Sequence, residues 1–281
     1  MTGVTVDYGG GAGRIELDSP EYLDGFHAVE EQSCRWTTGD AGLPAVLFGD
    51  DRREVVLTLT IRPLPQYGEN GAAQADAKLF GAFDSLGANC AFGFAQRHFG
   101  AEPPGLMRWS GTSYDKVMRG LETRFAGLGD PALTDLAWRD DTAEYRLSDD
   151  RYLSTHTFQG LRCVDPEEEL AIKLRGCSRL RLLGRKLVED IARGERILVF
   201  AATEPWVDAA ALFRLAASLH RIGPATLLGV LVATEEDQVG QIEVAGDGLL
   251  LGHIDNLDWI GNSFEVWRTL CRTAYGMTRA G

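Results

Sequence analysis

The stretch "RILVFAATEPWVDAAALFRLAASLHRIGPATLLGVLVA", residues 196–233, carries the clearest indication of the fold. Its first seven residues, 196–202, and its last nine, 225–233, are short apolar runs typical of strands that are buried on both faces. Between them, residues 207–223 have the length and composition of a helix that Gly223 closes. This order predicts a β-α-β unit, in which two parallel strands belong to a sheet covered by helices.

The same alternation of strands and helices continues on both sides of this unit. Ser113 is the expected N-cap of a helix, and the apolar residues that follow it at helical spacing are Tyr114, Val117, Met118, Leu121 and Phe125. A second helix is predicted from Leu180, Leu183, Leu187 and Ile191, and a last one from Phe264, Trp267, Leu270 and Cys271. With the strand "GLLLGHI" at 248–254, they predict an α/β domain over residues 81–281, whose parallel or mixed sheet is flanked by helices.

The first 66 residues have a different pattern. The short segments "GRIEL", "GFHAVE", "CRWTT", "AVLFG" and "EVVLTLTIRP" are separated by glycine, aspartate and proline, at a spacing typical of antiparallel strands. We therefore predict a small β-sandwich module over residues 1–66. Residues 67–80 lie in "LPQYGENGAAQADAKLFG", which has no periodicity, and they are predicted to form a linker.

The composition excludes several classes of protein. With 41 acidic and 28 basic side chains the net charge is −13, which repels a phosphate backbone, so no nucleic acid partner is expected. No apolar run reaches the roughly 18 residues that a membrane span needs, and nothing in the first residues has the pattern of a secretory signal. We expect a cytoplasmic protein with no membrane contact, and a homo-oligomer is compatible with the sequence.

Five cysteines are scattered along the chain without a C-x-x-C pair. Their odd number and spacing favour thiols over a disulfide framework or a zinc site. No cluster of histidines, cysteines and carboxylates has metal-binding spacing, and no cofactor motif is present. We therefore expect neither a metal nor a cofactor, and a small-molecule or glycan substrate.

One candidate for chemistry is Cys90, in "FDSLGANCAFGFAQRHFG", residues 83–100. A Gly-Ala-Asn-Cys turn separates a predicted strand from a predicted helix, and a helix N-terminus stabilises a thiolate or an oxyanion. Cys90 is therefore either a nucleophile or a small buried side chain. The preceding Asp84-Ser85-Leu86-Gly87 loosely resembles the nucleophile turn of SGNH-type hydrolases, which makes Ser85 a rival nucleophile.

Either nucleophile needs a base, and two histidines are candidates. His156 lies within the predicted strand "YLSTHTF", on the same face as Tyr152 and Ser154; a purely structural histidine fits this position equally well. His253 ends the strand "GLLLGHI", and ligands of open α/β sheets bind beyond the carboxyl ends of their strands. With Asp255 and Asp258 close by, His253 is placed to be either the base or the group that orients the base.

Three segments resemble a bacterial family labelled as papain-like cysteine peptidases, which occur beside surface-polysaccharide genes. These segments are "SLGANCAFGFAQRHFGAEPPGLMRW" at 85–109, "YLSTHTFQG" at 152–160 and "RLRLLGRKLVEDIARGERILVF" at 179–200. The resemblance covers roughly residues 80–275. It implies a cysteine-dependent hydrolase, or an acyl or glycosyl transferase, that modifies surface polysaccharide or another glycan.

The same resemblance assigns roles to residues. It implies that Cys90 and His156 are catalytic and that Asn89 helps to bind the oxyanion, and the oxyanion and substrate-binding residues that we predict around them also include Gly87, Arg108 and Trp109. The family has Pro-Phe-Asp-Trp after its first helix, whereas this chain has "GLMRWSG" at 105–111. The aspartate of that motif therefore has no counterpart here.

Two other functions are compatible with the sequence. The β module resembles modules appended to polysaccharide-synthesis proteins, so Phe26, His27 and Trp36 are candidates for a sugar-binding surface in a non-catalytic partner. A glycosyltransferase-like enzyme is the second alternative, because acidic residues at the ends of parallel strands can hold a nucleotide sugar.

Overall fold

A computed structural model describes the backbone of five N-terminal strands, residues 71–257 apart from 161 and 164, and residues 263–280. The chain divides into two compact units. Unit 1 comprises Met1–Gln66, Leu136–Arg146 and His156–Ala171, and unit 2 comprises Tyr67–Asp135, Leu147–Thr155 and Ile172–Gly281.

The five N-terminal strands are β1 (Val4–Tyr8), β2 (Gly11–Ile15), β3 (Phe26–Glu30), β4 (Cys34–Thr37) and β5 (Val55–Leu59). Strand β1 lies between β2 and β5 and is antiparallel to both, while β3 pairs with β4. The strands predicted within 25–30, 34–38 and 54–63 are thus confirmed. The predicted strand "AVLFG" at 45–49 and the side chains of Phe26, His27 and Trp36 lie outside the described residues.

The remaining elements follow in chain order: α1 (Gly71–Gly81), β6 (Phe83–Ser85), α2 (Ala91–His98), β7 (Ser110–Gly111), α3 (Tyr114–Thr123), β8 (Asp135–Arg139), β9 (Glu144–Asp149), β10 (Leu153–His156), α4 (Pro166–Arg193), β11 (Ile197–Ala201), α5 (Ala209–His220), β12 (Thr226–Val232), β13 (Ile242–Gly246), β14 (Leu249–Ile254) and α6 (Phe264–Ala280). Within the described part of the chain, none of the helices combines the length and apolar character that crossing a membrane requires.

A mixed five-stranded sheet forms the centre of unit 2, in the order β13-β14-β12-β11-β6. Strands β6, β11, β12 and β14 are parallel, and β13 is antiparallel to β14 at the edge. The predicted mixed α/β class and the β-α-β unit are therefore confirmed. A second sheet has the strand order β7-β10-β9-β8.

Helices cover both faces of the five-stranded sheet. Helices α1, α2 and α6 pack on one face, where they supply the buried residues Phe80, Phe92, Phe99, Trp267 and Leu270. Helix α5 packs on the other face. Its Leu212 lies against Gly229 of β12, whereas the adjacent strand residue Leu228 is buried in the cluster formed with α1, α2 and α6. Successive side chains of a strand point to opposite faces. Because helices cover both faces of β11 and β12, both sets of side chains are apolar, and the two strands read as continuous apolar runs.

Capping residues mark where helices α3 and α5 begin. The hydroxyl of Ser113 accepts the Lys116 N–H at the start of α3, as predicted, and the carboxylate of Asp208 accepts the Ala211 N–H at the start of α5. Helix α3 ends at Thr123, earlier than the spacing suggests. Phe125, which the periodicity places in the helix, lies instead in a left-handed turn and is still buried.

The segment that we predicted to be a linker, residues 67–80, contains most of helix α1. Its alanines favour a helix by intrinsic propensity, although the segment lacks an apolar stripe. Phe80 stacks on Phe99 with ring centroids 4.5 Å apart. The buried carboxylate of Asp76 pairs with Arg268 and Arg272 of α6. Because an ion pair and one aromatic residue fix this helix, hydrophobic periodicity does not reveal it.

Candidate functional site

Cys90 lies where a parallel strand gives way to a helix. Strand β6 ends at Ser85, and the N–H of Leu86 still bonds to the carbonyl of Val199 on the neighbouring strand β11. The chain then turns, and half-buried Cys90 occupies the N-cap of α2, with φ −88° and ψ 0°. The turn predicted from "GANC" is therefore present, and it places the thiol beside the N–H groups of the first helical turn.

The side chain of Asn89 fixes this turn from two sides. Its Oδ1 accepts the N–H of Ala91 at 3.0 Å, which caps α2. Its Nδ2 donates to the carbonyl of Leu257 at 2.9 Å, and Leu257 follows strand β14. Asn89 thus ties the loop after β6 to the loop after β14, and it positions Cys90. One N–H of its amide is used in this way, so the predicted oxyanion role depends on the other N–H.

Gly87 is required by the backbone of the turn. Its φ is +94°, a conformation that side chains disfavour, and a Cβ atom would lie 2.3 Å from Cγ2 of Thr112. Thr112 is itself held in place, because its Oγ1 donates to the carbonyl of Tyr152 at 2.7 Å. The structure therefore gives Gly87 a role in shaping the turn.

The structure encloses Ser85, the rival nucleophile. The residue is 1% exposed, and its Oγ accepts the N–H of Gly87 at 3.1 Å. This placement is typical of a serine that stabilises a turn, and it keeps the hydroxyl away from a substrate. Cys90 is the better placed of the two candidate nucleophiles.

Arg108 is 3% exposed and anchors the chain that follows α2. Its Nη2 donates to the carbonyls of Ala101 and Gly93, at 2.9 and 3.4 Å, and its Nη1 pairs with Glu102. Burial lowers the pKa of Arg108, an effect that Glu102 opposes. These contacts describe a structural anchor.

Trp109 is half-buried and keeps part of its ring accessible. The guanidinium carbons of Arg97 and Arg108 lie 4.4 and 4.8 Å from its ring centroid, and the ring of Phe94 meets it edge-on. Its carbonyl accepts the hydroxyl of Thr155. Cation–π interactions hold the Trp109 ring, and its accessible part remains a candidate for a substrate contact.

His253 and Asp255 are close in sequence but have different surroundings. His253 is half-buried near the end of β14. The carboxylate of Asp255 accepts the hydroxyl of Ser263 at 2.7 Å and the N–H of Asn256 at 2.9 Å, which closes the loop before α6. Among the described residues, no hydrogen bond joins the His253 ring to Asp255, so the predicted orienting role finds no support.

His156, in unit 1, lies between Glu144 and Arg146. Its Nε2 is 2.6 Å from Nη2 of Arg146, and its Nδ1 contacts Oε1 of Glu144. Because a guanidinium can only donate, Nε2 must accept, and the ring proton is assigned to Nδ1, which donates to the carboxylate. The hydrogen bonds of His156 thus select the tautomer with its proton on Nδ1, and a glutamate orients the ring.

Glu144 and Arg146 were not identified from the sequence as partners of His156. They lie twelve and ten residues before it, respectively, at alternate positions of strand β9, so they share a face of that strand. The alternation in "EYRLSD" is the one signal that could have found them. The pairing of β9 with the strand that carries His156 is not readable from a single sequence.

Asp84 is a buried acid that the sequence analysis also missed. It is 2% exposed in the middle of β6, with its Oδ2 4.0 Å from Nζ of Lys186. Burial raises the pKa of Asp84 to about 6, although the positive charges of Lys186 and Arg196 partly offset the effect. The available sequence signal is an aspartate inside a short predicted strand, where this residue type is uncommon.

Comparisons with models of protein families, with curated proteins and with solved structures found no match. The fold and site define an α/β protein in which a cysteine occupies the N-cap position of the helix that follows a parallel strand. Within the described residues, no group of three or more potential metal-binding side chains lies together. The resemblance to papain-like cysteine peptidases therefore rests on the quoted segments.

Proposed function

We propose that this protein is a cysteine-dependent hydrolase, or an acyl or glycosyl transferase, in which Cys90 is the nucleophile. One observation carries the proposal: Cys90 occupies the N-cap position of α2, in the turn that follows the carboxyl end of the parallel strand β6. Ligands of open α/β sheets bind beyond this edge, and the helix N-terminus favours a thiolate there. The resemblance to the peptidase family points to surface polysaccharide or another glycan as the substrate.

In the proposed acyl-transfer reaction, a base takes the proton of the Cys90 thiol, and the thiolate sulfur attacks the carbonyl carbon of the substrate. The tetrahedral oxyanion is stabilised by N–H groups of the first turn of α2 and by the second amide N–H of Asn89. Its collapse breaks the bond to the leaving group, which receives the proton from the base. Water or an acceptor hydroxyl then releases the acyl group from the sulfur.

His156 is the base that the family resemblance supports, and Glu144 would act as its orienting group. In the neutral tautomer described above, Nε2 is the basic atom, and Arg146 must release it before it can accept a proton. His253 is the alternative base. If His156 is the base, His156→Asn and Glu144→Gln remove the same ionisation from the pH profile of kcat/KM, whereas His253→Asn leaves it in place.

The experiment that tests the proposal is the hydrolysis of 4-nitrophenyl acetate by the full-length protein and two variants. We expect Cys90→Ala to lower the rate at least about 100-fold, because no other group replaces the nucleophile. Cys163→Ala is the matched control, since Cys163 is also half-buried. Equal rates for wild type and Cys90→Ala, with unchanged circular dichroism, would exclude Cys90 as the nucleophile.

We also propose that β1–β5 belong to a separate antiparallel β-sandwich module, and that the protein is cytoplasmic. The antiparallel pairing of β2, β1 and β5 and of β3 with β4 supports the first statement. Limited proteolysis of the full chain should then give a stable fragment that begins near residue 67. Thermal stabilisation by free glycans or by a nucleotide sugar would favour the binding or glycosyltransferase alternative instead.

A further inference from the structure

A cavity of about 890 Å³ lies in unit 2 between helix α4 and the turn that follows α3. Arg124 lines it from the turn, and Arg181 and Arg185 line it from the helix. The two helix residues are four positions apart and therefore share one face of α4. Three arginines thus line one cavity, in a protein whose net charge is −13. Nη2 of Arg181 donates to the hydroxyl of Ser178, which also lines the cavity.

The turn that forms one wall of the cavity is held firmly against the helix. Gly129, at φ +76°, lies so close to α4 that a Cβ atom would be 2.3 Å from the carbonyl of Cys177. From the other side, Arg151 donates to the carbonyls of Ala126 and Gly127, and the Tyr152 hydroxyl also donates to that of Ala126. These contacts give the cavity a fixed wall in the absence of a ligand.

Few acidic side chains lie close enough to neutralise the three arginines. Among the described residues, no carboxylate lies within ion-pair distance of Arg124, Arg181 or Arg185. Asp130 also lines the cavity, and its Oδ1 accepts the N–H of Ala132 at 2.9 Å. Its negative charge offsets one of the three positive charges, so the lining keeps a net positive charge. The cavity is therefore complementary to an anion that carries more than one charge.

The backbone at Arg124 gives a further indication. Arg124 and Phe125 have φ values of 51° and 54°, a conformation that costs about 1 kcal/mol for residues other than glycine. The carboxyl-terminal cap of a helix commonly uses glycine for this geometry. An arginine at this position places a guanidinium at the cavity at the expense of stability.

We propose that this cavity binds a small phosphorylated ligand and that Arg124, Arg181 and Arg185 hold its phosphate groups. Planar guanidinium groups match phosphate oxygens in pairs. The volume exceeds the size of a single phosphate and lies within the range of small-molecule sites, so it leaves room for an organic part beside the phosphate groups. This site is independent of the proposed reaction at Cys90.

Isothermal titration calorimetry of the full-length protein with pyrophosphate, at constant ionic strength, tests the proposal. We expect saturable binding, and weaker binding of inorganic phosphate. The double substitution Arg181→Gln/Arg185→Gln should weaken pyrophosphate binding at least about tenfold. The control Arg175→Gln/Arg179→Gln changes the same charge at exposed positions of α4 outside the lining and should change binding less than about twofold.

A second variant separates ligand binding from folding. Arg124→Gly removes a guanidinium and also relieves the left-handed backbone, so it should raise Tm without ligand and weaken pyrophosphate binding. Unchanged affinity in this variant, equal loss in both double variants, or no saturable binding to wild type would each overturn the proposal. Cys90→Ala should keep the wild-type affinity, so failure at this site and failure of the proposed function remain distinguishable.

Discussion

The turn that carries Cys90 depends on a few individual side chains. Gly87 supplies the positive φ and the space beside Thr112, and Asn89 supplies both a cap for α2 and a bond to the loop after β14. Neither residue needs to contact a substrate to matter for activity. Their substitution is expected to act through the position of the thiol.

Gly87→Ala should destabilise the protein by about 2 kcal/mol or more, because the added methyl meets Cγ2 of Thr112 and the positive φ becomes strained. Urea unfolding followed by circular dichroism measures the effect. Gly276→Ala is the control, since a Cβ at Gly276 in α6 meets nothing within 4 Å. It should stabilise the protein by about 0.5–1 kcal/mol. A loss of similar size in both variants would contradict this account of Gly87.

Asn89→Ala should expose the first turn of α2, because it removes the cap and the bond to Leu257. We expect a loss of about 1–3 kcal/mol in stability and faster hydrogen exchange at Ala91. Asn89→Asp keeps the acceptor oxygen and loses the donor, so it should retain the slow exchange at Ala91. Fast exchange in both variants would mean that the capping bond does not protect the turn.

The elements show where sequence patterns were sufficient and where they were not. The β-α-β unit, α3, α5 and α6 follow from hydrophobic runs and from local signals such as the N-cap Ser113 and the closing Gly223. Helix α1 was missed because Asp76 and Phe80 bind to partners that are distant in sequence. The position of Cys90 was predictable for the same local reason, whereas the Glu144 and Arg146 contacts of His156 depend on strand pairing.

Arg108 anchors the segment that follows α2. Its substitution tests whether it stabilises this segment or contacts a substrate. Arg108→Lys cannot reproduce the bonds to two carbonyls and to Glu102, so we expect a loss of about 2 kcal/mol in the free energy of unfolding. If the proposed activity on 4-nitrophenyl acetate is present, its KM should change little. A large rise in KM with unchanged stability would instead support the substrate-binding role predicted from the sequence.

The stability of the whole molecule should depend on pH through Asp84. Its pKa is about 6 in the folded protein, above its ordinary value of 3.8, so folding favours the protonated form. Asp84 therefore contributes most to stability below pH 3.8, and this contribution is lost as the pH rises to about 6. The positive charges of Lys186 and Arg196 lower this pKa, and the negative charge of Asp190 raises it.

Asp84→Asn should accordingly be more stable than wild type at pH 7.5, by about 2–3 kcal/mol. The difference should shrink as the pH falls and approach zero below about pH 3, where Asp84 is largely protonated in both states. Urea unfolding at pH 4, 5.5 and 7.5 measures it, with Asp135→Asn as a control at an exposed position. A stability difference that grows as the pH falls would contradict the stated sign.

The pH dependence of cysteine alkylation by iodoacetamide, followed by peptide mapping, tests the central claim most directly. Cys163 is the comparator, because it is also half-buried and burial and Glu168 raise the pKa of its thiol. The account predicts that Cys90 reacts well below pH 8, while Cys163 reacts only at higher pH. If Cys90 reacts no faster than Cys163 at every pH, or only after denaturant is added, its thiol is not activated and the proposed chemistry is excluded.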